Sequence, residues 1–138
     1  MMADDLLKSM NISAAGMKAQ GTRLRVVSEN VANVNSHGTH PGDEPYRRKL
    51  VTFKNELDRD MNAHMVQVDR IHEDRGEFKL KYDPQHPAAD ENGYHKVPNV
   101  NTLIEMMDMR EAQRSYDANL NVIKSSRRML NNTLDILR

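Results

Sequence analysis

The 138-residue chain contains no cysteine and no tryptophan, and only 4% of it is aromatic. The first absence excludes disulfides, thiol nucleophiles and cysteine-based zinc sites. With the second, the scarcity of aromatics leaves few of the large rings that usually fill thick cores. Leu, Ile, Val and Phe number 11, 5, 10 and 2. They make up about 20% of the chain, near the border below which chains struggle to fold alone. Net charge is also lacking, with 20 basic against 20 acidic residues. Self-repulsion therefore does not enforce disorder, and the basic excess of a general nucleic-acid binder is missing. No run of 18 apolar residues occurs, which excludes a helical membrane span. The acidic start Met1-Met2-Ala3-Asp4-Asp5 has no basic stretch before an apolar run, so no cleavable secretory signal is expected. Thin helical seams, or folding upon assembly, suit this composition better than a globular core.

Proline is confined to Pro41–Pro98, and both ends lack it. This predicts a helix over 1–34, a loop and small β segment over 35–101, and a second helix over 102–138. The fold class expected is mainly α with a small β region. Long N- and C-terminal helices form a coiled-coil-like pair, and 6–34 and 102–138 pack together.

In the first end, Leu6, Met10, Ser13, Met17, Gln20, Leu24, Val27, Val31 and Val34 follow one another in alternating steps of four and three. This 3.5-residue period is that of a coiled-coil seam. Asp4 or Asp5 is expected to cap the helix. Gly16 and Gly21 each weaken it by roughly 1 kcal/mol relative to Ala. Either they admit a close neighbour or they are simply tolerated. In the last end, Thr102-Leu103-Ile104-Glu105 has capping-box spacing. From there Met106, Met109, Gln113, Tyr116, Leu120, Ile123, Arg127, Leu130, Leu134 and Leu137 repeat the seam period. Gln113 and Arg127 break it, either as edge residues with their heads in water or as polar residues that set register. Two such seams cover each other only in part, so each helix keeps an open flank.

The middle reads differently. Asn35 to Pro45 is loop-forming, and Tyr46 to Phe53 is extended. Val66 and Val68 alternate with polar residues, as do Phe78, Leu80 and Tyr82, which predicts a half-buried strand. Glu73-Asp74-Arg75-Gly76 reads as a hairpin connection between them, with Gly76 left-handed. Asp83-Pro84 ends the strand, and 83–101 is expected to run irregularly.

Convergent chemistry is not evident. Of six histidines, only His37 and His40 are close in sequence, and solvated loop positions explain them. Asp90-Glu91-Asn92-Gly93 lacks the ligand spacing of a calcium loop and reads as a turn. Phosphate-cradling loops and nucleophile elbows are missing. Tyr46-Arg47-Arg48-Lys49 is a small basic cluster, preceded by Asp43-Glu44, that reads as a solvated strand or a contact to an acidic neighbour rather than a nucleic-acid site. No catalytic residue, cofactor or metal is expected.

Ser28-Glu29-Asn30-Val31-Ala32-Asn33 at the close of the first helix resembles the signature of bacterial flagellar rod, hook and hook-filament axial proteins. Further segments are similar to the short proximal-rod branch of that family. They are Pro45 to Lys49, Asp83-Pro84 with Pro87 to Gly93, Pro98-Asn99-Val100-Asn101 and Arg114-Ser115-Tyr116-Asp117-Ala118-Asn119. The resemblance implies a structural subunit of the basal-body rod, the drive shaft crossing the periplasm. It implies export through the flagellar type III channel and helical stacking, with terminal helices lining the inner tube. Partners would be copies of itself, other rod proteins, the surrounding ring components and the export apparatus.

The assembly seam expected on this basis comprises Met10, Met17, Leu24, Val27, Val31, Met106, Met109, Tyr116, Leu120, Ile123, Leu130, Leu134 and Leu137. Three alternatives carry distinct signatures. Another short rod protein would lack the Pro98–Asn101 and Arg114–Asn119 pair. A cytosolic coiled-coil adaptor would be fully helical as an isolated dimer. A metal-dependent enzyme using His37, His40, His86 or His95 would hold a transition metal tightly.

Overall fold

The computed structural model describes residues 2–136, with side chains from Asp4 onward. The order is α1 (Met2–Ala32), β1 (Lys49–Asp58), β2 (Ala63–Glu73), β3 (Lys79–Tyr82), β4 (Tyr94–Val97) and α2 (Thr102–Ile136). The chain is mainly helical with a small β region, as its proline distribution implies. It divides into two compact units. One comprises Met1–Leu24, Val51–Arg70 and Arg110–Arg138, the other Arg25–Leu50 and Ile71–Met109.

In the first unit, Gly16 lies against α2. A Cβ there would stand 2.8 Å from Asn119 Nδ2, whereas one on Gly21 would meet nothing within 4 Å. Gly16 thus admits a close neighbour and Gly21 is tolerated. Arg23 pairs with Glu111 at 3.8 Å. Asp4 and Asp5 fall within the first turn of α1 rather than capping it, because the helix already begins at Met2. Both still favour the positive helix end. β1 and β2 pair with each other, tied by Thr52 Oγ1 donating to the Arg70 carbonyl at 3.2 Å. Asp58 Oδ1 accepts the amides of Asp60 (2.9 Å) and Met61 (3.1 Å) in the connection. Asn62 closes it at φ 45°, in the left-handed region that asparagine tolerates.

In the second unit, β3 and β4 pair antiparallel with Lys79 opposite Val97, Leu80 opposite Lys96, Lys81 opposite His95 and Tyr82 opposite Tyr94. The expected hairpin through Gly76 is not formed. β2 pairs back to β1, and β3 finds its partner in the tract expected to be irregular. Gly76 is not left-handed; its N–H donates to Asp74 Oδ1 at 2.9 Å. Nor is β3 half-buried, since Leu80 is 65% and Tyr82 63% exposed. Opposed residues share a face, so Leu80, Tyr82, Tyr94 and Lys96 line one side of a two-stranded ribbon and stay exposed. His95 is buried on the other side. The turn at 90–93 is as expected. Asp90 Oδ1 accepts the amides of Asn92 and Tyr94, and Gly93 takes φ 82°.

The apolar core is thin. Among the described residues, the buried hydrophobic side chains are Ala19, Val26, Val27, Ala88 and Ala112, none larger than valine.

Candidate functional site

The densest polar arrangement lies in the second unit and begins at the end of α1. Asn30 is 1% exposed and uses its whole amide. Nδ2 donates to the Lys49 carbonyl at 2.9 Å and to Glu105 Oε2 at 3.0 Å. Oδ1 accepts from Tyr46 Oη and from the Lys49 amide, each at 2.9 Å. One side chain thereby joins the helix end, the start of β1 and the first turn of α2. Only a group that both donates and accepts can do this.

Glu105 is fully buried and takes its second contact from Arg48 Nε at 2.5 Å. Arg48 also faces Asp74 at 3.7 Å and Asp108 at 3.8 Å. The basic cluster at 46–49 thus meets acidic neighbours, and Lys49 Nζ pairs with Glu29. Burial pushes the Tyr46 hydroxyl up to about 12, with Glu29, Glu105 and Glu73 adding to it.

Glu105 therefore does not complete a capping box. Asn101 caps α2 instead, its Oδ1 accepting from Leu103 N (3.0 Å) and Ile104 N (3.4 Å). Asn99 Oδ1 accepts the Arg48 amide at 2.8 Å, and its Nδ2 donates to the Asp74 carbonyl at 3.3 Å. Arg47 donates to the Asp74 and Gly76 carbonyls and lies over the Phe78 ring, 4.2 Å from its centroid.

The signature residues thus divide by role. Asn30 is the hub, and Glu29 holds Lys49. Asn33 closes the helix, its Nδ2 donating to the Glu29 carbonyl and its Oδ1 accepting from Ser36 Oγ. Ser28 and Ala32 are exposed. Pro98 is buried, Val100 half-buried, Asn99 a backbone clamp and Asn101 a cap. In the first unit, Asn119 donates to the Ser115 carbonyl beside Gly16. Ser115 and Tyr116 are half-buried, and Arg114 and Ala118 are exposed.

The expected assembly seam is unevenly covered. Val27 is buried. Met10, Met17, Leu24, Val31, Met109, Tyr116, Leu120, Ile123 and Leu130 are half-buried. Met106 and Leu134 are exposed, at 47% and 56%. Leu137 lies outside the described residues. The fully buried positions of α2 are instead Glu105, Ala112 and Ser126. The contacts within each unit thus favour small and polar residues one step from the apolar seam. Gln113 and Arg127 are exposed, with their heads toward water.

Among the histidines, His40 pairs with Asp43 in its own loop at 3.3 Å. His37, His86 and His95, distant in sequence, come together. No group of three or more metal-ligating side chains is suitably arranged among the described residues. The described helices are not long and apolar enough to cross a membrane.

The family described as flagellar basal body rod FlgEFG protein C-terminal matches residues 91–136. Over nearly its whole length the chain is similar to curated flagellar basal-body rod proteins FlgC. It is 53% identical to that of Agrobacterium fabrum over 135 residues, covering 98% of this chain and 97% of the relative. Identity to that of Borreliella burgdorferi is 38%, covering 96% and 98%, and to that of Salmonella typhimurium 37%, covering 95% and 97%. The network of Asn30, Arg48, Asn99 and Glu105 is thus built in a chain that belongs to the flagellar basal-body rod protein FlgC family.

Proposed function

We propose that this chain is a structural subunit of the flagellar basal-body rod and that it works through contacts rather than catalysis. The observation that carries the reading is the mismatch between its buried and exposed apolar residues. Nothing larger than valine is fully buried among the described hydrophobic residues. Leu103, Ile104, Met106 and Met107 at the start of α2 are 68%, 49%, 47% and 64% exposed. Burying a Leu or Met side chain is worth roughly 1.5–3 kcal/mol, so several per subunit hold a stiff assembly.

In the finer form of the proposal, residues 6–34 and 102–138 pack together as the axial core. Met10, Met17, Leu24 and Leu120 then lie on the seam that copies and other rod proteins cover. Contacts that do not close generate a helical tube, here the proximal rod in the periplasm. The subunit arrives there by type III export and meets the ring components outside the shaft. The Asn30–Glu105 network serves as the internal brace that fixes the start of α2 relative to β1. Nearly full-length similarity to proteins of one name supports this over another short rod protein.

Isolated basal bodies from the source bacterium test it. The chain should be found in the rod, and deleting its gene should abolish rod assembly and motility, with restoration by a plasmid copy. Motile cells with intact rods after deletion would overturn the proposal.

A further inference from the structure

Away from the Asn30 network, three imidazoles from three separate stretches of the second unit meet. His37 lies in the loop that follows α1, His86 in the β3–β4 connection, and His95 on β4. His86 and His95 stack with centroids 4.0 Å apart and planes 9° from parallel. His37 stands edge-on to both, at 5.4 Å and 5.2 Å. His95 is 2% exposed, and neither of its ring nitrogens has a hydrogen-bond partner; nor does buried His37 Nδ1. The Ala88 amide donates to His86 Nδ1 at 3.1 Å, which orients that ring. None of the three belongs to the segments that carry the family signature.

This packing suits neutral rings and opposes charged ones. A proton on His95 places a cation 4.0 Å from the His86 ring, on a side chain that is almost wholly removed from water. A second proton adds like-charge repulsion. The charged groups facing the cluster are Lys81, directly across the ladder from His95, and Asp83 just beyond β3. Lys81 opposes protonation, and Asp83 favours it at His95. Burial comes first among the causes that hold His37 and His95 below the ordinary histidine range, followed by the neighbouring rings. A hydrogen bond between His37 and the Lys96 backbone partly offsets this at His37 and ties the loop to β4. A shared metal ion does not fit the arrangement. The lone pairs of imidazole lie in the ring plane, and those of two parallel stacked rings run side by side rather than toward one point.

We infer that His37, His86 and His95 form a proton-operated latch, which holds the loop after α1 against the β3–β4 ribbon when neutral and releases it in weak acid. The sign follows from linkage. The unfolded-state histidine titrates near 6.5, and the folded values of His37 and His95 lie below it. The stabilisation is therefore complete above about pH 6.5 and is lost as pH falls from there toward the folded values.

The test is NMR on the full chain between pH 8 and pH 4.5. It follows imidazole Cε1 protons together with amide exchange at Tyr46, whose N–H donates to the Ser36 carbonyl at 2.9 Å and closes the same loop. Two histidine signals, assigned through His37→Gln and His95→Gln, should titrate below 6.5. The Tyr46 amide should lose roughly tenfold or more of its protection between pH 7 and pH 5, after correction for intrinsic exchange. In His95→Phe, which keeps an aromatic ring without a titratable nitrogen, that pH dependence should shrink; if this variant does not fold, His86→Asn serves the same purpose. His64→Gln, on exposed β2, should behave as the parent. Ordinary titration of His37 and His95, or pH-independent protection of the Tyr46 amide, would overturn the latch. So would equimolar zinc bound tightly at pH 7 with all three rings shifted, which would make the cluster a metal site.

Discussion

Asn30 Nδ2 donates to Glu105 Oε2 across 3.0 Å, with both side chains almost wholly removed from water. The amide has no spare capacity, and the carboxylate depends on it and on Arg48. In Asn30→Asp a donor becomes an acceptor facing both Glu105 and the Lys49 carbonyl. The expected cost at pH 7 is roughly 3–5 kcal/mol, as for an uncompensated buried charge. Protonation of either carboxyl restores a donor, so the deficit should narrow in acid. Urea denaturation followed by tyrosine fluorescence checks this. A variant as stable as the parent at pH 7 would show that the network is not what holds the second unit.

The Tyr46 hydroxyl donates to Asn30 Oδ1 in the same network, and its folded value of about 12 is above the ordinary 10. The sign is the reverse of that for the histidines. The contribution is full below about pH 10, where both states are protonated, and is lost as pH rises toward 12. An absorbance titration at 295 nm should show a late phenolate step that Tyr46→Phe removes. Identical titration of parent and variant in the late region would contradict it.

The two glycines of α1 make a contrast. Gly21→Ala meets open space and should stabilise the first unit by roughly 0.5–1 kcal/mol through helix propensity. Gly16→Ala gains the same propensity but displaces the Asn119 amide, which otherwise donates to the Ser115 carbonyl at 3.0 Å. It should show no net gain. Paired melting curves decide, and equal stabilisation would mean that the Asn119 side chain yields freely.

Much of the fold was legible because the signals are local. The proline-free ends and the 3.5-residue spacing locate both helices, and the valine and aromatic alternations locate β2 and β3. Strand pairing was not legible. Val66–Val68 and Phe78–Tyr82 look like two arms of one hairpin, yet the hydrogen bonds from β2 go to β1, and β4 hides among prolines. Glu105 misled because Thr-x-x-Glu spacing fits a capping box equally well; only the distant Asn30 and Arg48 reveal a buried carboxylate. The histidine cluster gave no warning, since positions 37, 86 and 95 meet only after the chain folds. Asn30 could be singled out through the family signature, but not its four hydrogen bonds.

The thin core bears on the purified monomer. Met107, Met129 and Ile136 on α2 are 64%, 56% and 85% exposed, which leaves long helical stretches without apolar cover. At low concentration the chain should show less helix by circular dichroism than 31 and 35 helical residues would give. Limited trypsin should remove the ends before the 46–96 region. Full helicity with resistant ends would argue for a self-sufficient domain.

Leu120 and Lys79 separate seam from surface. Leu120 is half-buried on α2, between exposed Asn121 and half-buried Asn119, with Ile123 next along the seam. On the proposed seam, its remaining surface is what a neighbouring subunit would cover. Leu120→Asp puts a carboxylate where an apolar partner should sit, and desolvating a charge without a partner costs more than burying a neutral polar group, at least several kcal/mol. The change in helix propensity is under about 1 kcal/mol, so the helix itself survives. Lys79→Asp, on exposed β3, removes no apolar burial. Leu120→Asp should therefore abolish incorporation into the rod, and with it motility, while export of the subunit persists. Lys79→Asp should assemble nearly as well as the parent. Swim-plate assays, with immunoblots of basal bodies and of the exported fraction, read both outcomes. Equal assembly of the two variants, or failure of Lys79→Asp alone, would move the joint between subunits from the terminal helices to the β region.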